Sequence, residues 1–310
     1  MEPEADTELT RIVLRAFPGA SITRRTPLGG GVSARATVVE IAQPDGSKRR
    51  VVVRRPTHAT PEETRRIVGL EHALLERCAT LGIPAPKPCF LDLEAGAVGL
   101  EHLAGAPDFT PHGLSARLAQ MAAELARIHA VPTSELGFLK RRSESFERDL
   151  REVPERMDAT LDEPRLRATL SELWPFEQHN ADVLLHGDYW PGNLLFRDGR
   201  LTAVLDWEEA ELGDPLADLA VARLDLLWAF GEAAMHEFTE RYRAHRELDG
   251  RNLPRWDLAV ALRPMSNLSR WATSYAAPPI SRPDVTESTL RAGHRRFVRQ
   301  ALEALEKNPR

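Results

Sequence analysis

The sequence predicts an α+β fold in two lobes, a small sheet-rich one followed by a larger helical one. Three observations carry that prediction. β-Branched runs separated by turn residues crowd into the first third of the chain, and helical segments dominate from residue 112 onward. The change of character falls near "LEHLAG". The expected division is residues 1–103 for the first lobe and 104–310 for the second. Ligand clefts favour such junctions.

Each element has its own signal. Residues 5–17 read as an amphipathic helix. "ATVVEIA" and "RRVVVRR" are β-branched runs joined through "PDGS", a strong hairpin signal. "TPEETRRIVGLEHALLERCATLG" opens with a Thr cap, Pro at the first helical position and two Glu in the first turn, as helix starts require. "KPCFLDLEAGAVGLEHLAG" reads as two short strands around an "EAG" turn. "HGLSARLAQMAAELARIHAV" and "SFERDLREVPERMDATL" read as helices, and several more follow residue 214. "LTAVLDWEEA" reads as a strand ending in Asp206. No internal repeat or low-complexity linker interrupts the order.

Composition narrows the function classes. The chain has 310 residues, 42% hydrophobic and 28% charged, the balance of a globular protein that buries a sizeable core. No apolar run approaches the roughly 20 residues of a membrane span, and "MEPEADTELTRIVLRAF" resembles neither a secretory signal nor a transit peptide. The formal net charge of -5 argues against a general nucleic-acid binder. Cys78 and Cys89 are the only cysteines, too few for a disulfide framework or a zinc site, so a cytoplasmic protein is expected. The partner expected is a small molecule, with no nucleic acid and no membrane, and the chain a monomer or a homodimer.

One stretch concentrates chemistry. "LLHGDYWPGNLLF", residues 184–196, sets a histidine, an aspartate and an asparagine between two apolar anchors. Burying a charge is costly without a partner, so the loop is a capped turn or a site. Its spacing H-x-D-x-x-x-x-N suits phosphoryl transfer, in which an aspartate takes the proton of an attacking hydroxyl and an asparagine holds magnesium on the phosphates. Asp206 follows Asn193 by thirteen residues, where a second metal carboxylate is wanted. Either aspartate alone would read as a turn cap; the set of His186, Asp188, Asn193 and Asp206 reads as a site.

"HGDYWPGNLLF" followed by "AVLDWEEAELGDPLADLA" resembles the aminoglycoside phosphotransferase and choline kinase superfamily, small-molecule kinases with a protein-kinase-like fold. The resemblance spans nearly the whole chain and is most specific over 184–219. It implies ATP as phosphoryl donor, with GTP a second option, and Mg2+ as cofactor. It makes Asp188 the catalytic base and Asn193 and Asp206 the metal ligands. Asp214 and Asp218 would cap the next helix and brace the loop, with His186 a further brace and His129 packed beneath. The implied activity is transfer of a phosphoryl group to a hydroxyl of a small molecule.

The remaining elements fit the same frame. "PLGGGVSARATVVEI" places a glycine run before a strand, so Gly30, Gly31, Val32 and Ser33 would close over phosphates. The third strand of the fold usually ends in lysine, whereas "RVVVRRP" ends in arginine. Alternation puts Val52 and Arg54 on one face and Arg55 on the other. Arg54 is thus the phosphate-holding counterpart, with Glu71 its partner. The carbonyl of Glu101 and the amide of Leu103 would meet an adenine edge. The arginine keeps a second reading in view: a catalytically impaired, pseudokinase-type nucleotide binder.

Acceptor-site candidates come from two places. In "RPMSNLSRWATSYAAPP", Asn267, Trp271 and Tyr275 recur at a spacing of four, one helical face. Glu208, in "DWEEAELGD", is the fourth. A polycationic aminoglycoside needs several carboxylates to pair its ammonium groups, and residues 255–280 contain only Asp257. The acceptor expected is therefore neutral or weakly charged.

Overall fold

Buried valines and isoleucines alternate along the N-terminal strands, and the sheet they build is the frame of the first unit. A computed structural model describes residues 3–28, 34–57 and 59–307. It divides into two units, Met1–Ala104 with Ala203–Glu208, and Gly105–Thr202 with Glu209–Arg310. The expected glycine-rich residues Gly30, Gly31, Val32 and Ser33 lie outside the described residues.

In the first unit α1 (Pro3–Ala16) precedes strands β1 (Ser21–Leu28), β2 (Ala34–Ala42) and β3 (Lys48–Pro56). Helix α2 (Pro61–Thr80) and the hairpin β4 (Pro88–Asp92) and β5 (Ala97–Glu101) follow. The antiparallel sheet runs β1-β2-β3-β5-β4. Alternation sends Val39 and Ile41 of β2 and Val51 and Val53 of β3 into one core with Leu9, Ile12 and Val13 of α1. Arg54 and Arg55 point to opposite faces, Arg54 bonding Glu71 and Arg55 bonding Glu8 of α1. Thr60 caps α2 in a reciprocal box with Glu63, with Pro61 at the first helical position. The buried stripe of α2 runs Val68, Glu71, Leu74, Leu75 and Cys78, so a carboxylate sits in an apolar seam. Both cysteines are free thiols.

Residues 203–208, expected with the second lobe, pack with the first unit instead: Val204 N donates to Pro84 O at 2.7 Å, and Arg54 binds Asp206 and Glu208. The strand leading to them stops at Val204 rather than Asp206, whose φ of 63° is incompatible with an extended ladder.

The second unit is mainly helical. It holds α3 (Leu114–Ile128), α4 (Arg142–Arg151) and α5 (Glu163–Leu173), then β6 (Val183–Leu185), β7 (Leu194–Arg197) and most of β8 (Arg200–Val204). After β9 (Glu211–Gly213) come α6 (Leu216–Phe230), α7 (Glu232–His245), α8 (Leu253–Val260), α9 (Leu268–Ala276) and α10 (Glu287–Lys307). The helix expected over 145–161 ends at Arg151. Pro154 cannot donate to the ladder and drives Val153 out of helical backbone, and only a short 3-10 turn, Ala159–Leu161, follows. β6 pairs with β9 and β7 with β8, so the two apolar anchors of the 184–196 stretch belong to separate ladders. Helix α6 is buried over nearly all its length. Its Arg223 is paired by Asp257 through two bonds of 3.0 and 2.9 Å.

Candidate active site

In the first unit Arg54 is the hub. Its Nη1 donates to Glu71 Oε1 at 2.6 Å, and its Nη2 donates to Asp206 Oδ1 at 2.9 Å and Glu208 Oε2 at 3.0 Å. Burial works against the guanidinium's charge, but Glu71, Asp206 and Glu208 more than offset it and hold its pKa above the ordinary value. Burial raises the Glu71 carboxyl, and Arg54 only partly restores it. The planar fork explains why arginine can stand here: one cation satisfies three carboxylates, which a lysine would meet as a point charge. The Trp207 ring nitrogen donates to Val204 O at 3.0 Å and fixes the turn that carries Asp206 and Glu208. The Glu101 amide donates to Lys87 O at 2.8 Å at the end of β5, and Leu103 follows in irregular backbone.

In the second unit the loop after β6 is tied down from below by one carboxylate. Asp218, near the start of α6, accepts from the backbone amides of His186 at 2.7 Å and Gly187 at 2.8 Å. It also lies 3.1 Å from His129 Nε2, and His129 Nδ1 lies 2.6 Å from the Tyr242 hydroxyl. A carboxylate only accepts, so the neutral His129 ring donates through Nε2 and accepts the Tyr242 proton on Nδ1. Burial lowers the His129 pKa and keeps it neutral. Burial opposes ionisation of Asp218, yet the His129 and backbone donors outweigh it and lower the carboxyl's pKa. Asp214 accepts from Leu216 N at 3.0 Å and caps α6.

Gly187 has φ of 81°, and a Cβ there would stand 2.1 Å from the carbonyl oxygen of Glu209. Only glycine lets the chain turn this closely. The next amide, that of Asp188, donates to His186 Nδ1 at 3.2 Å, so the histidine braces the loop from within. Tyr189 is buried and donates its hydroxyl to Met121 O at 2.9 Å. The short 3-10 turn Pro191–Asn193 then returns the asparagine to the aspartate: Asn193 Nδ2 donates to both the Asp188 carbonyl and its Oδ2 at 2.9 Å.

The other Asp188 oxygen, Oδ1, accepts from Arg263 Nη2. Burial pushes the Asp188 carboxyl up, but Arg263 and Asn193 outweigh it, so its pKa lies below the ordinary carboxylate value. Arg263 Nη1 stands 3.8 Å from Asp225 Oδ2 in α6. The Asp225 carboxyl is driven the other way, to about 7, because burial exceeds what Arg263 gives back. Glu209 is likewise raised by burial, partly offset by Arg263.

The aromatic candidates divide. Tyr275 meets Phe109 and Trp190 edge-on at 6.1 and 6.0 Å, and Phe109 stacks on Phe230 at 5.8 Å. Trp271 packs instead on Trp228 at 5.5 Å, and Asn267 is exposed, its amide bonded to Met265 O. Sequence reasoning gave Arg263, Asp225, Phe109 and Trp190 no role. The charge of Asp225 inside an apolar helix was the one available signal. Two surface grooves of the second unit, about 400 and 530 Å3, contain none of the predicted site residues.

A family model described as "Phosphotransferase enzyme family" matches residues 24–267, most of the chain. Among curated proteins, the rat acyl-CoA dehydrogenase family member 11 is 26% identical over 221 residues. The match takes in 59% of this chain and 28% of the relative, so the chain spans under a third of the relative's length. Among solved structures, a macrolide 2'-phosphotransferase from Brachybacterium faecium aligns over 99% of both chains, with a TM-score of 0.61 and 20% identity. A choline kinase from Streptococcus pneumoniae aligns over 98% of this chain and 99% of its own, with a TM-score of 0.63 and 15% identity. The small antiparallel sheet followed by helices is their kinase-like fold.

Proposed function

This chain belongs to the phosphotransferase enzyme family, and we propose that it transfers the γ-phosphoryl group of ATP to a hydroxyl of a small molecule. Asp188 is the base in this reading. The observation that carries it is the arrangement around that carboxylate: held ionised, bonded through Asn193, on a loop anchored by Asp218. An ionised carboxylate at neutral pH takes a hydroxyl proton without first losing its own.

Asn193 and Asp206 are the residues that would hold magnesium, and both offer the oxygen donors this hard cation prefers. Asn193 turns its Nδ2 to Asp188, which directs its Oδ1 elsewhere, and the Asp206 side chain keeps 36% of its surface exposed. When bound, the ion would neutralise phosphate charge. Arg54, oriented by Glu71, would hold phosphate oxygens. Gly30, Gly31, Val32 and Ser33, with the backbone of Glu101 and Leu103, would complete the nucleotide contacts.

The reading of the chain as an impaired nucleotide binder finds no support in the comparisons, and the retained Asp188, Asn193 and Asp206 set speaks against it. Engagement of the acidic residues supports an acceptor other than a polycation: Asp257 is spent on Arg223, Glu208 on Arg54, and Glu211 faces Arg142 at 3.5 Å. No helix among the described residues is long and apolar enough to cross a membrane; a cytoplasmic monomer or homodimer completes the proposal.

Release of ADP or GDP from MgATP or MgGTP, measured with a panel of hydroxylated acceptors, tests it. Asp188→Asn should lower acceptor-dependent turnover on the order of 10²–10⁴-fold while a thermal shift by MgATP persists. An Asp188→Asn protein that kept most of its acceptor-dependent turnover would remove the assignment of Asp188.

A further inference from the structure

The surroundings of Asp188 contain more polar capacity than a base needs. The Arg263 side chain makes one hydrogen bond among the described residues, through Nη2 to Asp188, while Nη1 faces Asp225 at 3.8 Å without bonding it. The Asp225 carboxyl is 7% exposed and accepts no hydrogen bond among the described residues. Among the described residues the Tyr275 hydroxyl is buried without a partner, in the electrostatic range of both Asp225 and Asp188. An orphaned buried polar group costs about 1–3 kcal/mol, so such groups gathered at one place point to a ligand that uses them.

Their chemistry sets the ligand's sign. A guanidinium with N–H groups to spare and a phenol O–H are donors. Asp225 already faces that guanidinium at 3.8 Å, and burial raises both its carboxyl and that of Glu209. Donors beside a half-buried cation take an oxyanion. Position sets the spacing. Arg263 touches the carboxylate that would receive the hydroxyl proton, so hydroxyl and oxyanion must sit within the reach of one guanidinium. With single bonds of about 1.5 Å, that places them about one to three carbons apart. The Phe109 and Trp190 rings against Tyr275 suit an apolar remainder.

From this geometry we infer that the acceptor is a hydroxycarboxylate with an apolar body, and that Arg263 is the residue that reads its carboxylate. The inference rests on the phosphotransferase reading above. In the step it implies, the acceptor hydroxyl oxygen bonds the γ-phosphorus as the bond from that phosphorus to the β–γ bridging oxygen breaks. The bonding pair leaves on ADP, and the hydroxyl proton passes to Asp188. Arg263 gives up Asp188 Oδ1 as it takes the carboxylate, which frees that oxygen for the proton.

The test uses the full chain with MgATP and matched acceptors: 2-, 3- and 4-hydroxyoctanoate, their methyl esters, choline and kanamycin. At least one acid should exceed its own ester in kcat/KM by roughly 100-fold, the scale on which a polar site rejects an analogue lacking its partner group. Arg263→Gln should collapse that acid-to-ester ratio, Arg263→Lys should restore part of it, and Arg299→Gln, on the exposed face of α10, should leave it unchanged. Tyr275→Phe retains the ring and should raise KM for the acid about tenfold, which keeps the inference open to refutation should Arg263→Gln not fold. Without nucleotide, the acid but not the ester should raise the melting temperature of the parent. Preference for an ester, choline or kanamycin, or an acid preference that survives Arg263→Gln, would overturn the inference and leave phosphoryl transfer standing. No transfer to any acceptor, with the acid still stabilising the parent, would overturn the phosphotransferase reading instead.

Discussion

Replacing Asp225 by asparagine should stabilise this protein at alkaline pH and leave it almost unchanged at acid pH, the reverse of the usual result for a buried aspartate. The carboxyl's folded-state pKa is raised from 3.8 to about 7, burial outweighing the attraction of Arg263, with Asp188 adding repulsion. Between those values the native chain holds a proton that the unfolded chain has released. The derivative of unfolding free energy with pH is therefore negative: the contribution of Asp225 worsens from about pH 4 and is fully adverse above about pH 7. From pH 5 to pH 8 the two titrations differ by about 2–3 kcal/mol at 1.36 kcal/mol per unit. Asparagine has nearly the same shape and no charge to desolvate, so it lacks this penalty. Urea unfolding of parent and Asp225→Asn at pH 5 and pH 8, followed by circular dichroism, reads the difference directly. Curves separated equally at both pH values would refute the reasoning. So would a variant less stable at pH 8, since the Arg263 pairing would then outweigh the cost of burial.

Arg54→Ala removes the cation that Glu71, Asp206 and Glu208 share and should cost about 3–5 kcal/mol, the scale for removing one partner of a buried ion pair; a urea midpoint within error of the parent would contradict the hub described for this residue. Glu71→Ala should raise the nucleotide KM several-fold by releasing Arg54 from its orienting partner, which initial-rate kinetics would show. Asp206→Ala should abolish the thermal stabilisation given by MgATP, and equal stabilisation of variant and parent would count against its place as a metal ligand. Gly187→Ala meets the carbonyl oxygen of Glu209 at 2.1 Å with a left-handed backbone. It should lose at least about 2 kcal/mol of stability, checked by calorimetry.

The loop from His186 to Asn193 was legible because its determinants are local. A glycine, a fixed five-residue spacing and two apolar anchors lie in one stretch, and the loop closes on itself through Asn193 and Asp188. Glu71 was legible for a related reason. A carboxylate in the apolar stripe of α2 has to meet a cation, and strand alternation put Arg54 rather than Arg55 on the matching face. The break at Pro154 and the end of β8 at Val204 were open to the same local reasoning, but the surrounding hydrophobic pattern masked them. What was not legible is longer in range. Arg263 lies 75 positions from Asp188, beyond anything periodicity reports. Trp271 and Tyr275 share a helical spacing, yet α9 turns one toward Trp228 and the other toward Phe109 and Trp190, a choice made by helices remote in sequence.

Helix α6 shows how far a sequence argument could have gone. "LADLAVARLDLLWAF" carries Asp218, Arg223 and Asp225 in a helix buried almost all round. Each such charge demands a partner, because an unpaired one would cost more than the helix gains by burying its neighbours. Two of the three found full satisfaction: Asp218 through amides and a histidine, Arg223 through Asp257 and the Thr239 hydroxyl. Among the described residues Asp225 has only a cation at 3.8 Å that already serves another carboxylate. A helix that satisfies its other charges and leaves this one half-paired, beside the carboxylate of the proposed base, fits the proposed reading of the acceptor at Arg263. In that proposal the candidate aromatic helix would supply one wall and one hydroxyl through Tyr275.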